Sequence, residues 1–97
     1  MKIKFLSIAE KELKEAIDYY NYQLSSLGKQ FFKEVNSGID RISMYPDAWT
    51  KVSENLRRYL VKHFPYAIYY VHEETEIIIV AIAHLHRKTE PFKSRIN

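Results

Sequence analysis

The chain has 97 residues, 46% of them hydrophobic and 28% charged, which fits one folded domain over residues 1–97 rather than two domains or a disordered tail. There is no cysteine, so a disulfide scaffold and a thiolate metal site are both excluded. The apolar run at residues 77–83 is far shorter than the ~20 residues of a membrane span. The N-terminus also lacks the long apolar run of a signal peptide, so we expect a cytoplasmic protein.

The N-terminal segment predicts a short strand followed by a helix. Residues 2–6 alternate polar and apolar side chains, as a half-buried strand does. Ser7 and Glu10 then have the spacing of a capping box, and apolar residues recur every three or four positions as far as Leu27. Gly28 is expected to be the C-cap of this helix.

A second helix is predicted between Gly28 and Pro46, because apolar residues repeat at helical spacing up to the proline. The tight connection makes the two helices an antiparallel hairpin, in which Gly38 would permit close packing between them. Residues 46–56 are expected to form a loop. Trp49 in this loop is interpreted as a lid on the core in preference to a binding residue.

The rest of the chain predicts β-structure. Segments 57–64, 66–72 and 76–84 are rich in tyrosine, isoleucine and valine, and residues 73–75 are predicted to form the turn between the last two. The last strand is apolar on both faces, so it should be central or covered on both sides. The predicted order is β-α-α-β-β-β: an α+β fold with a small antiparallel four-stranded sheet, the helical hairpin on one face and the other face open.

The second half of the chain carries the basic excess. Residues 1–50 contain seven lysines and arginines and seven acids, whereas residues 51–97 contain eight against five, and all four histidines. This excess favours an anionic partner, either nucleic acid or an acidic protein segment, although a solvated basic face without a partner has the same composition. The candidate target- or phosphate-binding residues are Arg57, Arg58, Lys62, Arg87, Lys88 and Arg95. Arg57 and Arg58 lie on opposite sides of their strand, and the pattern does not decide which side faces the helices.

Two histidines end the last predicted strand. His84 and His86 are two residues apart, so on a regular strand they would point the same way, next to Arg87. Such a group could cleave RNA, with histidine as acid and base and arginine stabilising the phosphate. Alternatively, one histidine caps the strand and the other is solvated. An H-x-H pair without a third ligand is a weak metal signal, so we expect no metal and no cofactor.

The order of elements resembles a known toxin superfamily. The run FPYAIYYVHEETEIIIVAIAHLHRK, with RRYLVKH before it, resembles the RelE/ParE superfamily of toxins from bacterial type II toxin–antitoxin modules. Upstream, AEKELKEAIDYYNYQLSSLGKQFFKEV resembles the helical hairpin of that superfamily, and IDRISMYPDAW the stretch that closes it. The similarity covers nearly the whole chain, although no single motif decides it.

The resemblance implies a growth-inhibiting toxin that a cognate antitoxin neutralises. ParE-like, plasmid-stabilisation members poison DNA gyrase, whereas RelE-like members cut mRNA on the ribosome, often with a tyrosine or histidine near the C-terminus. No tyrosine follows Tyr70 here and Phe92 has no hydroxyl, so the tail lacks a phenol. This favours the ParE-like interpretation, in which the protein is not an enzyme. If it is a ribonuclease, His84, His86 and Arg87 are the catalytic candidates. The third interpretation is a non-toxic basic nucleic-acid-binding domain. The sequence does not decide whether the chain forms a homodimer.

Overall fold

The computed structural model describes residues 1–96, and its helices and strands follow one another in much the order that the sequence predicts. Two helices follow the first strand, and the remaining strands come after them. The elements are β1 (Lys2–Phe5), α1 (Ser7–Gln23), α2 (Leu27–Met44), β2 (Thr50–Lys51), β3 (Arg57–Leu60), β4 (Tyr66–Glu73), β5 (Glu76–His84), α3 (Glu90–Lys93) and a final 3-10 turn (Ser94–Ile96).

The strands form one five-stranded sheet in the order β1-β5-β4-β3-β2. The α+β class and the helical hairpin are confirmed, but the prediction of four antiparallel strands is wrong in two details. β1 pairs with the edge of β5 that β4 leaves free. The two strands run in parallel, because the helical hairpin carries the chain back to the side of the sheet at which β1 began. β2 is an additional strand of two exposed residues, too short and too polar to give a sequence signal.

β3, predicted over residues 57–64, is shorter than expected. It ends at Leu60 instead of residue 64, because His63 adopts a left-handed backbone with φ of 69° that a strand cannot contain. The amide of Val61 donates to the Tyr66 carbonyl at 2.9 Å, and the amide of Tyr66 donates to the Phe64 carbonyl at 2.8 Å. These bonds close the turn into β4.

The connection between α1 and α2 differs from the predicted one. α1 begins at Ser7 as expected, but its N-cap is Leu6 and no side chain caps it, so the capping box does not form. Gly28 is not a C-cap: it lies in the first turn of α2, because the chain already reverses at Ser26 with φ of 72°. A Cβ on Gly28 would lie 2.5 Å from the Ile17 carbonyl oxygen, so the glycine allows the two helices to touch.

Gly38 permits close packing, but between α2 and the sheet instead of between helices. A Cβ at this position would lie 2.6 Å from Cε1 of Tyr59 on β3. The Trp49 ring contacts the same Tyr59 ring edge-on, with centroids 4.9 Å apart. Trp49 packs against the core, as predicted for a lid.

Both faces of the sheet are covered. One face packs against α1 and α2 through a cluster that includes Phe31, Ile42 and Ile79. The other face was predicted to be open, but Phe92 of α3 is fully buried there against Tyr69 of β4. The error arises because a four-residue helix gives no periodic pattern to detect. No helix within residues 1–96 is both long and apolar enough to cross a membrane.

Candidate functional site

The outer edge of β5 loses its strand partner halfway along. β1 pairs with β5 only as far as Phe5 opposite Ile79, after which the chain turns away into α1. Side chains form hydrogen bonds with the backbone groups of β5 that β1 leaves unpaired. The amide of Ile82 donates to Glu12 Oε1 at 3.1 Å, and the carbonyl of Val80 accepts from Arg95 Nη1 at 3.0 Å.

Glu12 also binds two arginines from the C-terminal segment. Arg95 Nη1 donates to Glu12 Oε1 at 3.0 Å and Arg95 Nη2 to Oε2 at 2.9 Å, a forked pair, while Arg87 Nη1 donates to Oε2 at 3.0 Å. The side chains of Glu12 and Arg95 are only 11% and 12% exposed, whereas Arg87 is 46% exposed. Burial alone would raise the pKa of Glu12, but the hydrogen bonds from Arg95, the Ile82 amide and Arg87 outweigh it and leave the pKa below its ordinary value.

Phe92 completes this cluster. The guanidinium carbons of Arg87 and Arg95 lie 5.0 and 4.8 Å from the centre of its ring, within the range of cation–π contacts. The positive charge of Arg95 is therefore already balanced by the Glu12 carboxylate and lies against the Phe92 ring. Arg87 is the member of the pair that still presents part of its side chain to solvent.

His84 and His86 lie together, but in a geometry that the two-residue spacing did not predict. β5 ends at His84, and His86 lies in the following turn. The His86 amide donates to Nδ1 of His84 at 3.2 Å, and the two rings stack with centroids 4.9 Å apart. His84 Nδ1 is an acceptor here, so the His84 proton is on Nε2 when the ring is neutral.

A groove of about 240 Å³ runs between α1 and the end of β5. Its polar lining consists of Glu12, Glu15, Tyr19, Tyr66, His84 and Arg87. The Tyr66 ring meets the His84 ring edge-on at 5.4 Å. Histidine, arginine and tyrosine are thus within one groove, and both tyrosines precede β5 in the chain. Lys88, the residue after Arg87, is exposed.

The two arginines of β3 lie on opposite faces of the sheet. Arg57 is opposite Tyr70 on the helix-covered side, and its Nη1 donates to the Trp49 carbonyl at 2.8 Å. Arg58 is opposite Tyr69 on the Phe92 side. His84 is paired with Tyr66, whose ring packs on the helix-covered side, so His84 and Arg58 are on different faces.

Arg57 shares a face with His84 but is far from it along the sheet. In the ladder Arg57 is level with Ile79, two strands away, and His84 lies five residues further along β5. At about 3.3 Å per residue, that separation is about 17 Å along the strand alone. Neither β3 arginine therefore meets the histidines in this structure.

The other two histidines pair with acids elsewhere. His63 Nδ1 lies 3.0 Å from Glu34, and His72 Nδ1 lies 2.9 Å from Asp47. The hydrogen bond from His72 lowers the pKa of Asp47. Among residues 1–96, no three His, Cys, Asp or Glu side chains converge as a metal-ligand set would.

Comparison with known proteins agrees with this fold. The family model described as "ParE toxin of type II toxin-antitoxin system, parDE" matches residues 3–89. The chain belongs to the ParE toxin family. No curated protein sequence matches it significantly. Among solved structures, a chain of the "Chromosomal ParDE TA system from P. aeruginosa" is similar with a TM-score of 0.76 and 14% identity, over 87% of this chain and 95% of that one.

Sequence reasoning did not identify Glu12 and Phe92 as the residues that hold this site together. Glu12 was one charged residue among several on α1, and Phe92 stood in a tail without periodicity. The available signal was the unequal length of the first and last strands. β5 has nine residues and β1 only four, so part of an inner strand needed other hydrogen-bonding partners.

Proposed function

We propose that this chain is a toxin that a cognate antitoxin neutralises and that inhibits DNA gyrase by binding, without chemistry of its own. The family match over residues 3–89 is the observation that carries this proposal. The neighbour from the ParDE system has the same fold over 95% of its length, which supports an antitoxin partner. The proposed setting is the bacterial cytoplasm, where the toxin would limit growth and stabilise a plasmid.

The distribution of charged groups favours a binding toxin over a nuclease. A ribonuclease needs an acid, a base and phosphate-binding cations at one place, and of the four candidate arginines Arg87 alone lines the histidine groove. Here Arg58 lies on the face opposite to His84, and Arg95 is held by Glu12. No tyrosine follows Tyr70 in the chain to provide a phenolic proton donor at the C-terminal end.

A supercoiling assay with purified gyrase tests the proposal directly. We expect the purified chain to inhibit supercoiling of relaxed plasmid, and the antitoxin encoded beside it to restore supercoiling at equimolar amounts. In cells, induction should stop DNA synthesis before translation. Unimpaired supercoiling together with an early stop of translation would contradict the gyrase assignment.

The second candidate function is a ribosome-dependent mRNA endoribonuclease. The observation in its favour is the stacking of His84 on His86 beside the half-exposed Arg87. General acid–base catalysis contributes about 10²–10⁴-fold, so His84→Gln with His86→Gln would nearly silence such an enzyme. Mapping mRNA ends on ribosomes separates the candidates: abundant new ends with the wild type that vanish in the double variant would establish the ribonuclease.

The basic half of the chain leads us to propose an electrostatic contribution to antitoxin binding. Rising salt should slow association more than it speeds dissociation, because rim charges act mainly on the encounter rate. Stopped-flow mixing of toxin and antitoxin at several salt concentrations measures both rates. An association rate that does not change with salt would point to an apolar interface instead. The same complexes, run on a sizing column, report whether the free toxin is a homodimer.

A further inference from the structure

A second groove lies at the open edge of β3, away from the histidines. β2 pairs with β3 only at Arg57 and Arg58, so the edge is uncovered from Tyr59 onwards. The Val61 amide points inwards to Tyr66, and the alternation of an antiparallel ladder therefore turns the backbone of Leu60 outwards. The groove at this edge has a volume of about 370 Å³.

Three cations from different elements line this groove. Arg41 comes from α2, Arg58 from β3 and Lys62 from the turn after β3. Arg41 Nη1 donates to the hydroxyl of Tyr59 at 2.9 Å, a neutral acceptor that leaves its charge unbalanced. None of the five salt bridges found within residues 1–96 includes any of the three. Like charges gathered without a carboxylate repel one another, so a bound anion would relieve the repulsion.

Two residues of the groove lining each carry a buried hydrogen-bond donor that has no acceptor. In the described part of the chain, the only buried side-chain nitrogens or oxygens that lack a hydrogen bond are Nε1 of Trp49 and Nε of Arg58. Both residues line the groove. Native proteins leave few such groups, because each costs about 1–3 kcal/mol, so the lining of this groove is unusually poor in acceptors.

The rim of the groove is apolar, which bears on the kind of anion it takes. Leu60 is 53% exposed and lines the groove. A nucleic-acid backbone needs a row of cations along a polar track, whereas a protein segment can place a carboxylate between apolar side chains. The apolar rim therefore favours a protein segment.

We propose that this groove, hereafter the β3 groove, binds a glutamate or aspartate carboxylate from a partner segment with apolar side chains on either side. The carboxylate accepts a forked pair of hydrogen bonds from the terminal nitrogens of Arg58, with Arg41 and Lys62 adding charge. The flanking apolar side chains cover Leu60. This site goes beyond gyrase inhibition and does not depend on it, since its binding is measured on the purified chain.

The chain carries its own reporter for this site, because Trp49 is its only tryptophan. A nitrogen–proton correlation spectrum therefore shows a single indole signal. The probes are a capped pentapeptide Leu-Glu-Leu-Glu-Leu, its isosteric control Leu-Gln-Leu-Gln-Leu, and a short oligothymidylate. We expect the glutamate peptide to shift the indole signal saturably, and neither the glutamine peptide nor the oligonucleotide to do so at the same concentration.

Variants separate a specific site from general charge attraction. Arg58→Gln is expected to raise the Kd of the glutamate peptide about tenfold or more, as expected for loss of a charge-assisted pair. Lys62→Gln, which changes an exposed side chain and leaves the fold intact, should raise it about threefold. Lys11→Gln on the exposed face of α1 removes the same charge elsewhere and should leave Kd unchanged.

Three results would each overturn the proposal. Equal binding of the glutamine peptide would mean that the groove recognises apolar side chains only. A saturable indole shift with the oligothymidylate and none with the glutamate peptide would assign the groove to nucleic acid. Equal loss of affinity in Lys62→Gln and Lys11→Gln would show that the net charge of the chain, and not the β3 groove, attracts the peptide.

Discussion

Removing the carboxylate of Glu12 should destabilise the fold more than any other change at an α1 acid. In Glu12→Ala, Arg95 stays 88% covered with no counter-charge, and the amide of buried Ile82 loses its acceptor. Removing one partner of a buried, hydrogen-bonded pair costs about 3–5 kcal/mol. The Arg87 contact adds little, because that side chain is 46% exposed and screened by solvent.

We therefore expect a loss of about 3 kcal/mol, the lower end of that range, since Arg95 retains its bond to the Val80 carbonyl and its contact with Phe92. For a domain of this size, that loss lowers Tm by about 12–24 °C. Thermal and urea unfolding followed by circular dichroism measure both quantities. The matched control is Glu15→Ala, one turn further along α1 and exposed, which should change stability by less than about 0.5 kcal/mol.

The same pair gives a pH dependence whose sign follows from the lowered pKa of Glu12. A carboxyl whose folded pKa is below its unfolded value stabilises the protein above the unfolded pKa, and this contribution disappears as the pH falls through the folded pKa. The gap in unfolding free energy between wild type and Glu12→Gln should thus be full at neutral pH and narrow below about pH 4.5. Equal stability of Glu12→Ala and Glu15→Ala, or a gap that widens in acid, would refute the reasoning.

Three further changes test the packing. Gly38→Ala should lose about 1–3 kcal/mol despite the better helix propensity of alanine, because its Cβ would lie 2.6 Å from the Tyr59 ring; urea unfolding checks this. Phe92→Ala should cost about 3–5 kcal/mol in the same assay, since the ring is fully buried on the second face of the sheet. Burial raises the pKa of Tyr70 to about 12, and its hydroxyl donates to the Pro46 carbonyl at 2.6 Å. Tyr70→Phe should therefore cost about 1 kcal/mol and remove a phenol that, by ultraviolet titration, ionises only near pH 12.

The sequence predicted the elements whose burial follows a period. The stripe on α2 and the doubly apolar β5 were readable, because each long element has to bury a regular set of side chains. β2, with two exposed residues, and α3, with four, are too short to show a period. Their positions are set by tertiary contacts, such as those of Phe92 with Tyr69, which no local pattern encodes.

The candidate sites were predictable as residue types and not as arrangements. Arg57 and Arg58 were recognised as a pair of cations, but only the ladder shows that one belongs to the helix-covered face and the other to the Phe92 face. Arg41, which completes the β3 groove, lies on a helix that the sequence assigned to the core. Its contribution depends on α2 and β3 meeting across Gly38, a contact that only the folded chain makes.

The unequal lengths of β1 and β5 connect the fold to the distribution of free charge. Because β1 ends opposite Ile79, the remaining outer edge of β5 needs a donor and an acceptor, and Glu12 and Arg95 supply them. Arg95 is thereby bound to the edge of β5, whereas the cations of the β3 groove do not have to complete a strand edge. The edge of β3 is also uncovered, but within residues 1–96 its neighbouring cations make no salt bridge to a carboxylate. An edge closed by an internal ion pair stabilises the fold, whereas an edge lined by unpaired cations is free to bind a partner. This difference is why we place the proposed carboxylate site at β3 and a structural role at Glu12 and Arg95.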